Sequence, residues 1–284
     1  MPPTIAVIAP GNMGAAVAAR LGENGAQVLT LLDGRSETSR SRAAKAGMIA
    51  ASAAEIAAAD IVLSIVPPAQ AEALAATLRP ALVSAGRKPL YVDCNAVNSD
   101  TVRRIAATIA GTGCPFADGG IIGGPPKPGG AGPRFYVSGP QAGPAEMLAP
   151  LGLTIRMIGG VVGDASALKM CYGAFNKGLI ALGSAVALAA GRNGVAAALH
   201  RELAGSQAAM LAQLARGVPD MLPKAYRWVA EFEEIAEFVG DRPERRMFAA
   251  IARLYAGLAA ETAESRQEIG ALTDFFTAAP LDPP

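Results

Sequence analysis

TIAVIAPGNMGAAVAARL, residues 4–21, is the stretch on which the reading of this chain turns. Residues 4–9 form a short apolar run halted by Pro10-Gly11, which predicts a buried strand. From Gly14 to Leu21 the apolar positions take helical spacing with an alanine-rich face, and Gly22 to Gly25 ends the pattern. A strand that turns on glycine straight into a helix is the first half of a βαβ unit.

Outward from there the alternation repeats. QVLTLL (27–32) reads as a strand, and a helix follows over 37–46 with Gly47 as its stop. After a short segment around Ala51 come a helical stretch at 53–58, the strand IVLSIV (61–66) closed by Pro67-Pro68, and a helix over about 69–83. LYVDC (90–94) is a further strand and 99–110 a further helix. Such runs are continuously apolar rather than alternating, as buried parallel strands are. GGIIGGPPKPGGAGP (119–133) predicts an irregular, flexible wall before the strand RFYVSG (134–139). Residues 164–270 carry helical patterns and no strand. The expected fold is therefore α/β: a Rossmann-like parallel-sheet domain at 1–161 and an all-helical domain at 162–284, with the tail AAPLDPP frayed.

Composition narrows the functions. Lys+Arg 25 against Asp+Glu 24 leaves a net charge of +1, too even for a nucleic-acid partner. Hydrophobic residues at 51% and charged residues at 17% exclude bulk disorder. Gly178 to Gly191, the longest uncharged apolar stretch in the second half, is 14 residues, short of the about 20 a bilayer needs. The first residues carry no basic segment of the kind a signal peptide has. Three cysteines without metal spacing predict a reduced, cytoplasmic protein with no metal. The single histidine, His200, argues against a histidine zinc site and reads as a surface or interface residue.

Two places carry chemistry. Ala9-Pro10-Gly11-Asn12-Met13-Gly14 matches the dinucleotide fingerprint with Ala9 in place of the first glycine, and the helix behind it offers free N–H groups to phosphate. At the end of the second strand Asp33 suits a ribose 2′-hydroxyl, which favours NAD(H). Gly34-Arg35-Ser36, with Arg40 and Arg42 on the next turn, suits a 2′-phosphate, and NADP(H) is the expectation taken. The second place is a helix over 164–192 with Asp164 as N-cap. Lys169, Tyr172, Gly173 and Asn176 share one face of it amid apolar neighbours. A lysine there has a lowered pKa or a partner, and serves as proton donor and acceptor, with Tyr172 or Asn176 holding the reacting atom and Gly173 leaving room. Trp228 is placed at the border of the substrate pocket. Leu179–Ala189, apolar all round, predicts a homodimer.

These residues resemble the β-hydroxyacid dehydrogenase superfamily, which includes 3-hydroxyisobutyrate dehydrogenases, the 6-phosphogluconate dehydrogenase group and imine reductases. Gly34-Arg35-Ser36 falls where NADP-dependent members carry Asn-Arg-Thr. By that resemblance Val66 and Pro67, after IVLSIV, line the nicotinamide ribose, Asn95 adjoins the cofactor, and Ile122-Gly123-Gly124 end the substrate loop. Lys169 then stands in the catalytic lysine's place. Three departures are visible: Ile122 stands where a serine holds a carboxylate, Gly173 where an asparagine follows the lysine, and Asn95-Ala96 where a Ser-Thr pair is usual. The resemblance thus implies an NADP(H)-dependent oxidoreductase acting at a carbon bearing oxygen or nitrogen, with a less polar substrate site than 3-hydroxyacid dehydrogenases have. Imine reduction is the alternative, and non-catalytic NADPH binding a second one.

Overall fold

The structure, a computed structural model, describes residues 2–261 and 266–278; most of the tail, 279–284, lies outside the described residues. Two compact units divide the chain, Met1–Met170 and Cys171–Pro284.

The first unit is built on one sheet. Its strands are β1 (Thr4–Ile8), β2 (Gln27–Thr30), β3 (Ile49–Ala50), β4 (Ile61–Ser64), β5 (Leu90–Asp93), β6 (Phe116–Ile122), β7 (Arg134–Ser138) and β8 (Thr154–Gly159). They lie in the order β3-β2-β1-β4-β5-β6-β7-β8. All are parallel as far as β6; β7 runs antiparallel to β6, and β8 parallel to β7. The opening 3-2-1-4-5-6 is the doubly wound Rossmann order, whose strand order reverses between β1 and β4. Helices α1 (Asn12–Glu23), α2 (Glu37–Lys45), α3 (Ala53–Ala57), α4 (Ala71–Ser84) and α5 (Ser99–Ala110) connect the strands. Ile5, Val7, Leu63 and Val92 pack on Val17 and Leu21 of α1 on one face of the sheet. Ile8, Val62, Tyr91 and Phe116 meet Leu74 and Leu78 of α4 and Ile105 of α5 on the other. Both faces are buried, which is why these strands are apolar at successive positions.

Two expectations need correction, and one strand was not expected. The glycine-rich run is not irregular from residue 119: β6 carries on to Ile122, and all seven of its residues are buried. Glycine is there for clearance. A Cβ on Gly119 would stand 2.8 Å from the Cys94 sulfur, and one on Gly120 would stand 2.6 Å from the Ala165 carbonyl oxygen. β8 went unread because it is an edge strand, half-exposed and carrying Arg156, without the apolar signature of its neighbours. Asp164 is the first residue of the long helix α6 (Asp164–Arg192) rather than its cap. Its carboxylate turns back to accept from the Val161 N–H at 3.0 Å, and the buried N–H groups at the start of the helix are served by other acceptors.

The second unit holds the remainder of α6 with α7 (Ala196–Ser206), α8 (Ala208–Met221), α9 (Ala225–Phe238), α10 (Glu244–Ala260) and α11 (Gln267–Thr277). Phe232 and Tyr255 are buried between α9 and α10, their rings 5.6 Å apart. The Tyr255 hydroxyl donates to the Lys177 carbonyl at 2.6 Å, and the Lys177 ammonium pairs with Glu231. His200, expected at a surface or interface, is 7% exposed and meets the Phe275 ring edge-on at 5.5 Å. The α6 helix is longer than the apolar stretch counted from sequence, and by length and a mean hydropathy of 1.4 it could cross a membrane. Its first turns are instead fixed to β6 and β7, and Lys177 lies in an ion pair midway along it.

Candidate active site

The glycine turn lies at the carboxyl end of β1, beside β4. The Ala9 N–H donates to the Ile65 carbonyl at 3.1 Å, and the Gly11 N–H to the Ala9 carbonyl at 2.8 Å. Among the described residues no non-glycine adopts positive φ, so the turn runs through Ala9 without needing glycine there. Gly14 does need to be glycine, because a Cβ would run into the Ala9 carbonyl oxygen. At Gly11 a Cβ would meet nothing within 4 Å, leaving open space over the turn. Gly11 and Asn12 are exposed, no side chain caps α1, and its first turn holds no acidic residue. An uncapped, unopposed helix start facing open space suits a pyrophosphate. Met13 is half-buried against the core beneath the turn.

After β2, Gly34 turns the chain with φ of +67°. The Ser36 hydroxyl caps α2 by accepting from the Ser39 N–H at 3.3 Å. The exposed Arg40 donates to the Arg35 carbonyl at 3.3 Å. Arg42, which the sequence reading set beside Arg40 without singling out, donates to the Pro10 carbonyl at 3.1 Å and so joins α2 to the glycine turn.

At the ends of β4 and β5 the polar groups are bonded to one another. Asn95 is buried; its Oδ1 accepts from the Val66 N–H at 2.7 Å, and its Nδ2 donates to the Ser64 hydroxyl at 2.8 Å and to the Asp93 carboxyl at 2.7 Å. The Asn95 side chain, expected against the cofactor, therefore spends its amide inside the protein. Val66 is buried and Pro67 exposed. Beyond β6, Ile122 is 9% exposed, while Gly123, with φ of +123°, and Gly124 are open to solvent.

Asp118, on β6, was not singled out by the sequence, yet it organises the start of α6. It accepts from the Gly163 N–H at 3.0 Å, the Ser166 N–H at 2.9 Å, the Ser166 hydroxyl at 2.7 Å and the Ser138 hydroxyl at 3.3 Å. Ser138 in turn accepts from the Ala165 N–H at 3.0 Å. Those bonds satisfy the helix's free N–H groups from below and set Lys169 over Gly120, where a glycine Cβ would lie 3.4 Å from the lysine Cβ. Burial lowers the Lys169 pKa, while Cys94, Asp93 and Asp118 nearby raise it in part. Burial pushes Asp93 up to about 7, against the hydrogen bonds from Asn95.

Of the other predicted site residues, all lie in the second unit. Tyr172 is 49% exposed, and Asn176 donates to the Tyr172 carbonyl at 2.9 Å. A Cβ at Gly173 would touch nothing within 4 Å. Trp228 stacks edge-on against Tyr255 at 5.2 Å, and the Lys177 ammonium lies 5.2 Å from the centre of its ring.

Residues 4–158 match the NAD binding domain of 6-phosphogluconate dehydrogenase, more than half of the chain. The chain belongs to the β-hydroxyacid dehydrogenase superfamily. Members of this superfamily are NAD(P)-dependent dehydrogenases and reductases, and its first domain takes a nicotinamide cofactor. Residues 190–258 match a second domain, DUF1932, of unknown function. No curated protein matches the chain. Among solved structures, a conserved hypothetical protein from Sinorhizobium meliloti 1021 is 27% identical, covers 97% of each chain and superposes with a TM-score of 0.74. A Mycobacterium tuberculosis 3-hydroxyisobutyrate dehydrogenase with L-serine is 20% identical over 98% of this chain and 100% of its own, with a TM-score of 0.64. An imine reductase variant from Myxococcus stipitatus in complex with NAD+ is also 20% identical, over 98% and 100%, with a TM-score of 0.53. The last two share the fold.

Proposed function

We propose that this superfamily member is an NADP(H)-dependent oxidoreductase in which Lys169 gives a proton to, or takes one from, an oxygen or nitrogen on the reacting carbon of a small molecule. The bound cofactor would supply or accept the hydride. The observation that carries this reading is the setting of Lys169: an amine held by a bonded helix start beside two buried carboxyl groups, with its pKa lowered by burial. The choice of NADP(H) is supported by Arg35, next to the Gly34 turn after β2, and by Arg42, tied to the Pro10 carbonyl of the glycine turn. A cytoplasmic setting is in keeping with the free thiols of Cys94, Cys114 and Cys171.

Imine reduction is the second reading. Ile122 favours it, because an almost buried aliphatic side chain closes β6 where a hydroxyl would hold a carboxylate. The assay is NADPH and NADH oxidation against a panel of 3-oxoacids and a panel of cyclic imines. NADPH is expected to serve better than NADH, and Lys169→Ala to lower kcat by about 10²–10⁴-fold, the range for a positioned proton donor. Equal rates in the parent and Lys169→Ala would remove the lysine from the chemistry. Tight NADPH binding with no turnover on either panel would favour a non-catalytic binding protein.

A further inference from the structure

A dinucleotide whose pyrophosphate meets the turn after β1 and whose adenine ribose meets the segment after β2 has its nicotinamide half directed the other way, over the carboxyl end of β4. Val66 and Pro67 stand there, Val66 buried and Pro67 exposed. That end of β4 is stitched on both sides. Toward β1, Ile65 is held by main chain alone: its carbonyl accepts from the Ala9 N–H at 3.1 Å, and its N–H donates to the Ile8 carbonyl. Toward β5 the link is a side chain. The Val66 N–H donates to Asn95 Oδ1 at 2.7 Å, across 29 residues of sequence.

We propose that Asn95 is a positioning residue of the cofactor site: its amide clasps the end of β4 so that Val66-Pro67 is preformed to take the nicotinamide half of the dinucleotide, and the side chain itself touches neither cofactor nor substrate. The assignment rests on the nicotinamide nucleotide of the proposed function and not on Lys169. The amide can face only one way. Val66 offers a donor, so the oxygen meets it, and the two Nδ2 hydrogens go to the Ser64 hydroxyl at 2.8 Å and the Asp93 carboxyl at 2.7 Å. Asp93 also accepts from the Asn95 N–H at 3.1 Å, which fixes the backbone that carries the amide.

Burial gives the clasp its strength. Asn95, Ser64, Asp93 and Val66 are all buried, so a polar group left unpaired among them is costly. Turning the amide toward a ligand would strip the Val66 N–H of its acceptor and take a donor from both Ser64 and Asp93. Serine in this place would end one bond short of Oδ1 and bring a single hydrogen, too little for Val66, Ser64 and Asp93 together.

Asn95→Ser tests the clasp by binding, without turnover. Fluorescence titration gives the affinity for NADPH, and competition gives that for 2′,5′-ADP, the adenine half alone. NADPH should bind about tenfold more weakly in Asn95→Ser, as when a buried N–H loses its acceptor, and 2′,5′-ADP should stay within about twofold because the main-chain bonds to β1 are untouched. Where the parent binds NADH instead, ADP replaces 2′,5′-ADP. Equal weakening of both ligands marks general loosening and overturns the assignment, as does unchanged dinucleotide affinity in folded Asn95→Ser. A second measurement needs no variant. Pro67 and Pro68 have no N–H, so in hydrogen exchange a short peptide ending at Pro68 reports Val66 with few other amides. Val66 should be protected in the parent before any nucleotide is added. Exchange there as fast as in an unfolded peptide overturns the clasp, even if Asn95→Ser does not fold. A parent that shows the binding contrast but turns over neither panel keeps this assignment and loses the proposed function alone, whereas one that binds no nicotinamide nucleotide overturns both.

Discussion

Gly14 decides what can happen at the opening turn. Its missing side chain lets the Ala9 carbonyl lie where a Cβ would be, so the collision in Gly14→Ala is with backbone and cannot be relieved by a rotamer change. The expected cost is about 1–3 kcal/mol, the usual range for overpacking, together with weakened nucleotide binding. Chemical denaturation and a fluorescence titration with NADPH would measure the two. Gly11→Ala, into open space, should leave stability within about 0.5 kcal/mol. This contrast was legible in the sequence, because the turn's geometry is set by residues within a few positions of one another. The value of Asp93 and Asp118 was not. They meet only because β5 and β6 pair in that register, across a helix that separates them in sequence.

At the scale of elements, α6 is held by what lies beneath its first turn. Asp118→Ala would leave the Gly163 and Ser166 N–H groups without their acceptor in a buried place. A loss of about 2–4 kcal/mol is expected. Hydrogen exchange should quicken at Gly163 and Ser166 first, with exchange in α4 little changed. Sequence placed the cap on Asp164 because an aspartate before an apolar run is the local signature of a helix start. The acceptor that serves comes from a strand more than forty residues earlier, which no local pattern can announce. Gly119 and Gly120 misled in the opposite way: glycine was read as a sign of irregular chain, when here it lets a buried strand lie close to its neighbours.

For the molecule as a whole, the second unit leaves an apolar stripe on α6. Tyr172, Phe175, Leu182 and Val186 are 49%, 69%, 62% and 42% exposed, and their spacing puts them within a quarter of the helix circumference. Exposed apolar side chains in a continuous stripe are characteristic of an interface, and the proposed homodimer would cover them. Sedimentation at micromolar concentration should give a dimer, and Leu182→Glu should shift it toward monomer with the far-ultraviolet circular dichroism retained. A parent protein that sediments as a monomer would rule out this use of the stripe. The alternation of strands and helices, and with it the Rossmann order, was readable because buried parallel strands are apolar throughout. His200 was misjudged because helical periodicity does not tell which neighbour a helix will meet.

The wall after β6 is held by α1. The Arg20 guanidinium donates to the Lys127 and Gly130 carbonyls, each at 2.9 Å, and reaches toward the Gly152 carbonyl at 3.4 Å. All three acceptors are main-chain oxygens, which every residue type possesses. Apart from Gly129, whose φ of +70° favours glycine, the side chains between Pro125 and Ala131 are therefore free to drift in composition without loosening the wall. Sequence change along this wall is thus decoupled from its anchorage, which rests on one distant arginine.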